Sequence, residues 1–161
     1  MYGILEDSQI RELILKKKPV PENFWHIKPT FVNRYYRYNF PITADDGTEY
    51  VIIYRQSKED FNDFSVILGY VKPDLGRPFL LKRYNGKHEH TNHDPDGIDT
   101  TFDDLHIHIA TKKYQIIGPR EEHYAEVTDR YSDIFGARDC LIRDCGFYQT
   151  QKNLANWSSE T

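Results

Sequence analysis

Five of the seven histidines in this 161-residue chain lie between positions 88 and 108: His88, His90 and His93, then His106 and His108 within Leu105-His106-Ile107-His108-Ile109. Imidazole titrates near pH 6.5, so a pair can hold one base and one acid at neutral pH, and a neutral imidazole is also a metal ligand. In an extended segment alternate residues share a face. That puts His106 and His108 together, about 6 to 7 Å apart at Cβ, with Leu105, Ile107 and Ile109 turned to the core. The separation suits two imidazoles flanking one phosphate, or two ligands converging on one metal.

Cleaving RNA without a metal needs a base for the 2'-hydroxyl, an acid for the leaving oxygen and a cation to stabilise charge on the phosphate. His106 and His108 are the candidate acid and base, with His90 a rival for either role. Arg83 is the candidate clamp, because its planar fork grips two oxygens. Tyr84 could stack on a base or donate its hydroxyl, and Asn85, Lys87 and His88 complete the candidate substrate-binding set. A different chemistry uses the same side chains: His106, His108 and His90 as the three nitrogen ligands of a catalytic zinc with an open fourth position. The plain structural reading makes the pair no more than polar-face residues of an edge strand.

The segment before His106 is long for a simple connection, about 20 residues, and such loops tend to carry function. It holds His88, His90 and His93 at its start and Asp94, Asp96, Asp99, Asp103 and Asp104 further on, with Lys82, Lys87, Lys112 and Lys113 nearby. Asp94 to Asp99 lacks the spacing and terminal Glu of a calcium loop and reads as a solvated turn. Glu121-Glu122-His123 reads as an exposed polar run, and His26 beside Trp25 as a satisfied, half-buried histidine.

The elements that must position these groups follow from periodicity. A helix is predicted over about 9–17, capped by Asp7 or Ser8, with Ile10, Leu13 and Ile14 as its stripe and Pro19 and Pro21 beyond its end. The stretch 22–33 is a packed connection with room for one helical turn. Aromatic and β-branched runs at 35–43 and 48–56 flank Asp45-Asp46-Gly47, which is hairpin chemistry. Further strands are predicted at 64–71, where both faces are apolar, 79–84 and 105–110, with a possible sixth at 114–117. A C-terminal helix over 132–145 ends at Gly146, and the polar residues 151–161 form a tail. Cys140 and Cys145, five apart on that helix, point in different directions and do not pair.

These elements make an α+β fold: a mainly antiparallel sheet of five or six strands with an N-terminal and a C-terminal helix, in a single domain over 1–150. A net charge of −4 argues against coating nucleic acid by bulk electrostatics, though a local basic patch remains compatible with it. Two cysteines fit a reduced, cytoplasmic protein, and no apolar run approaches the length of a membrane span.

Arg83-Tyr84-Asn85-Gly86, then His88, His90 and Asn92, then His106-Ile107-His108 resembles the pattern of the TumE-like family, and also a broader set of bacterial and phage proteins. The similarity covers about 80–109. It differs in Gly86, in Glu89 between the first histidines and in the simple His-x-His. TumE-like proteins are toxin components of toxin-antitoxin pairs. The resemblance therefore implies an intracellular toxin acting on RNA, restrained by an antitoxin protein, and directs attention to Arg83, Tyr84, Asn85, His88, His90, His106 and His108. The leading expectation is a toxin-like, metal-independent endoribonuclease. A non-enzymatic module binding protein or nucleic acid, and a His-ligated metal-dependent hydrolase with zinc as cofactor, are the alternatives.

Overall fold

The computed structural model describes residues 3–22, 24–26, 28, 30–93 and 97–150. The expectations for Asp94, Asp96 and the tail fall outside these residues. Helix α1 spans Asp7–Leu15 and begins one turn earlier than its stripe suggests. Its cap is Glu6, which exchanges hydrogen bonds with Gln9 in a capping box. It buries Ile10, Leu13 and Ile14 as its spacing requires. A 3₁₀ turn, Phe24–His26, occupies the connection that follows.

The main sheet contains β2 (Thr30–Val32), β3 (Tyr35–Thr43), β4 (Glu49–Ser57), β5 (Phe64–Tyr70), β6 (Phe79–Asn85), β9 (His106–Ile109) and β10 (Ala125–Val127). Their order is β10-β9-β6-β5-β4-β3-β2, with every pairing antiparallel. Gly47, at φ +89°, supplies the left-handed position of the β3–β4 turn. β5 is the middle strand and is buried on both faces, as expected of Phe64, Val66, Leu68 and Tyr70 on one face and Ser65, Ile67 and Gly69 on the other. The short β7 (His90–Asn92) and β8 (Thr100–Phe102) pair as a hairpin of their own, and β1 (Lys18–Pro19) runs parallel to β11 (Phe147–Tyr148).

One face of the sheet, with Tyr50, Ile52, Val66, Leu68 and Tyr84, packs against α1 and α3 (Ile134–Asp144). Asp133 caps α3, and Gly146, at φ +76°, follows its end. Lys18 joins the two helices. Its fully buried ammonium donates to Ile14 O at 2.7 Å, Lys16 O at 2.8 Å and Cys145 O at 2.8 Å, placing a cation at both C-terminal dipole ends. Cys140 and Cys145 are buried free thiols.

Two expectations are overturned. The predicted sixth strand at 114–117 is a helix, α2 (Lys112–Ile117), because the Thr111 hydroxyl accepts from Tyr114 N and caps a helical turn. The edge of the sheet beyond His106 and His108 is β10, so β9 is an interior strand between β6 and β10.

Candidate metal centre

The register of β9 against β6 sets Asn85 opposite His106 and Arg83 opposite His108. Ladder partners share a face, so these four side chains lie on the side of the sheet turned away from α1 and α3. The hairpin β7–β8 covers that face, bringing His90 and Phe102 to 5.5 and 5.4 Å from the His106 ring. His90 also contacts His108 at 4.7 Å and His123 at 4.8 Å, while His88 packs on His106 at 4.7 Å and His93 stacks on His123 at 5.7 Å. His106 and His108 themselves stand 4.9 Å apart. Six imidazoles thus form one continuous set.

The shared face of His106 and His108 matches the expected alternation, but their exposure does not. His106 is 0% exposed and His108 6%, whereas Leu105, Ile107 and Ile109 are half-buried at the margin of the helix-side core. The pair is therefore not a surface feature. The hairpin that places His90 also takes water away from β9.

Hydrogen bonds fix which nitrogen of each ring carries the proton. Asn92 donates through Nδ2 to Ala125 O at 2.7 Å, and its Oδ1 accepts from Ala125 N at 3.0 Å. Its orientation being set, Oδ1 accepts from His90 Nε2 at 2.8 Å, which leaves His90 Nδ1 as a lone pair. His106 Nδ1 donates to Asp104 O at 2.7 Å and His108 Nδ1 to Glu122 O at 2.8 Å, so the Nε2 atoms of both are lone pairs. His106 Nε2 faces the Asn85 amide at 3.4 Å. One ligand nitrogen from each of His90, His106 and His108 lies within 4.8 Å of the others. An ion could stand within about 2.8 Å of all three, against about 2.0–2.1 Å for a zinc–nitrogen bond, a gap that small ring rotations would close.

Burial lowers the basicity of the set. It pushes His106 down to about 4 and His108 down to about 2, with neighbouring imidazoles and Arg83 adding to the effect. His88, His90 and His123 are lowered as well, again chiefly by desolvation. At neutral pH the three candidate ligands are neutral, which is the form that binds a metal.

The other predicted residues divide. Arg83 is not a free clamp: its Nη2 pairs with the buried Glu122 carboxylate at 2.8 Å. Arg83 Nε and Glu122 Oε1, both buried, have no hydrogen-bond partner among the described residues. Tyr84 lies on the opposite face, buried, with its hydroxyl donating to Asp144 Oδ2 at 2.7 Å, so it cannot stack on a ligand at the histidines. Asn85 is buried beside His106 and accepts from Ser65 Oγ at 2.7 Å, whereas Lys87 is exposed. Lys82 pairs with Asp144 and Lys112 with Glu6, so neither charges this face. The expected polar run 121–123 is a correction: Glu121 and Glu122 are buried, Glu121 in a bidentate pair with Arg77 at 2.6 and 2.8 Å. Glu122 and His123 hold the site from the β10 side. The only sequence signal for them is their position where an antiparallel partner of 106–109 must return.

The register also reveals a row that the sequence conceals. Arg37, Arg55, Ser65, Asn85 and His106 are successive ladder partners across β3, β4, β5, β6 and β9. It runs from exposed Arg37, through Arg55 stacked on Tyr35 at 4.0 Å, to the buried imidazole. Searches of family models, of curated proteins and of solved structures find no match to this chain, so the site rests on its own geometry.

Proposed function

We propose that this chain is a histidine-ligated metal hydrolase in which His90, His106 and His108 hold a divalent transition metal, zinc being the natural choice for three neutral imidazoles. The observation that carries this reading is that one nitrogen from each of His90, His106 and His108 lies within 4.8 Å of the others, in rings that are each tied to a fixed acceptor: Asn92 Oδ1, Asp104 O and Glu122 O. Such outer partners orient ligand imidazoles and raise their basicity. Zinc bound by three imidazoles supplies Lewis-acid chemistry at neutral pH and keeps a fourth position for water or substrate. Asn85 and His88 border the triad, His88 from the solvent side.

The substrate class we infer is an RNA phosphodiester. Exposed Arg37 heads the ladder row that ends at His106 and offers a phosphate a cation, Arg55 within the row being paired with Asp63 at 3.4 Å, and the resemblance to TumE-like toxins supplies the nucleic acid. Buried neutral imidazoles serve a metal better than they serve a metal-free acid–base pair, which needs one protonated member near pH 7. A metal-free ribonuclease is the second reading. It is favoured by His88, exposed and 4.7 Å from His106, which could be the acid that the buried pair lacks.

Metal analysis of protein purified without a histidine tag should give one ion per chain, absent from His90→Ala. A labelled single-stranded RNA should be cut by the loaded protein, spared after chelation and cut again after zinc is restored. Cleavage by metal-free protein would transfer the case to the second reading. No metal uptake and no cleavage would end both.

A further inference from the structure

The opposite face of the sheet carries a second concavity, where the turn Phe24–His26 and the start of α3 stand over β3 and β4. A cavity of about 380 Å³ opens there, and seven of its eleven lining residues are aromatic. Tyr38, Phe40 and Tyr54 come from the sheet, Trp25 from the turn and Phe135 from α3. Phe135, at the start of α3, is 56% exposed because its ring forms the rim of the cavity.

Two cations, Lys28 and Arg138, also line the cavity, and among the described residues no carboxylate does. The Arg138 guanidinium stands 4.7 Å from the Trp25 ring centroid and 5.5 Å from that of Phe135. Its ion-pair partner Asp139 is 3.3 Å away and about half exposed, a contact that screening by water makes weak. Aromatic walls give area to a flat ring at little entropic cost, and a guanidinium beside them can meet an acidic group on that ring with a charge-assisted hydrogen bond. The volume lies near the lower end of small-molecule sites, enough for one or two fused rings with a substituent.

We propose that this cavity binds a small planar aromatic anion, a ring system bearing a carboxylate or phosphate, with the ring between Trp25 and the tyrosines and the acid on Arg138 and Lys28. The site is independent of the histidines, because Phe40, Ile52 and Tyr54 alternate with the residues of the other face.

The test is a fluorescence titration of the whole chain with anilinonaphthalene sulfonate, an aromatic anion built on a flat naphthalene ring, alongside its uncharged relative phenylnaphthylamine. Saturable binding at one site per chain is expected, weakened at least tenfold in Arg138→Gln and in Lys28→Gln, as loss of a charge-assisted contact implies, and weaker for the uncharged probe in the parent protein. Tyr38→Trp, which fills the cavity without removing apolar surface, should abolish it. Displacement by adenosine monophosphate would assign the anion to the phosphate class and displacement by indole carboxylate to the carboxylate class. Equal affinity for the two probes, unchanged affinity in Lys28→Gln, or displacement by neither competitor would overturn the proposal. Zinc uptake by the same variants should be unaltered, which separates failure here from failure of the metal centre.

Discussion

Acidifying the metal-free protein from pH 7 to pH 5 should cost it at least about 4 kcal/mol of stability, which two residues alone supply. An unfolded histidine takes up a proton near pH 6.5, whereas burial holds His106 at about 4 and His108 at about 2. The sign follows from linkage. Above pH 6.5 both rings are neutral folded or unfolded and nothing is lost; as the pH falls below 6.5 the unfolded chain binds protons that the folded chain refuses, and stability drops. At pH 5 an unfolded histidine is almost fully protonated while the two buried rings are mostly neutral, so each contributes a loss of about 2 kcal/mol. Carboxylates mostly titrate below this window, so histidines dominate it: His106 and His108 most, with His88, His90 and His123, also lowered by burial, adding to the loss in the same direction. For a chain whose total stability is on the order of 5–15 kcal/mol, that is a large fraction.

Urea unfolding in the presence of a chelator at pH 7, 6 and 5 measures it, as a falling midpoint at constant slope. His108→Asn, whose amide can donate to Glu122 O as Nδ1 does, should remove about 2 kcal/mol of the pH dependence. A midpoint that stays level between pH 7 and pH 5 would mean that these rings are not buried and neutral, and the ligand geometry would fall with it.

Three other outcomes follow from contacts around the site. Asn92→Ala releases His90 Nε2 and should weaken zinc binding by about 10- to 100-fold in a competition titration with a chromogenic chelator, while far-ultraviolet circular dichroism stays unchanged. Gly86→Ala puts a Cβ 1.8 Å from Asn62 O and 2.8 Å from the Phe64 ring. It should therefore cost at least about 2 kcal/mol in urea unfolding, since backbone must move. Arg34 sits at φ +71° in the two-residue turn after Asn33, where Asn-Gly is the favoured pair. Arg34→Gly should raise stability by about 0.5–1 kcal/mol, read as a higher thermal midpoint.

The long elements were readable because each repeats its period several times. The strand predicted over 35–43 coincides with β3, and Asp45-Asp46-Gly47 fixes its hairpin. The strands that escaped notice, β1, β2, β7, β8, β10 and β11, have two or three residues each, too few to show any alternation. The site was half legible for the same reason. His106 and His108 declare a shared face by their spacing, but their burial depends on β10 and on the hairpin β7–β8, whose pairing is tertiary. Tyr84 shows the cost of reading a string without its alternation: beside Arg83 and Asn85 in sequence, it lies on the far side of the sheet.

The division of the triad between two bodies has a consequence for how the site forms. His106 and His108 are set by the seven-stranded sheet, whereas His90 comes from a three-residue strand paired only with another three-residue strand, and an isolated hairpin of that length is marginal in water. What fastens it to the sheet is a small set of contacts: the Asn92 amide on Ala125, His123 Nε2 with Thr91 O at 3.0 Å, the Phe102 ring on His106, and the imidazole contacts themselves. A metal bound across that seam adds its binding energy to the docked arrangement alone. At a hundredfold excess over the dissociation constant this amounts to about 2.7 kcal/mol for the state in which the hairpin is closed. Zinc should accordingly slow amide exchange in 88–93 and 100–104 far more than in β4 or β5. Equal protection of all four segments would show that the ion binds without fastening the hairpin.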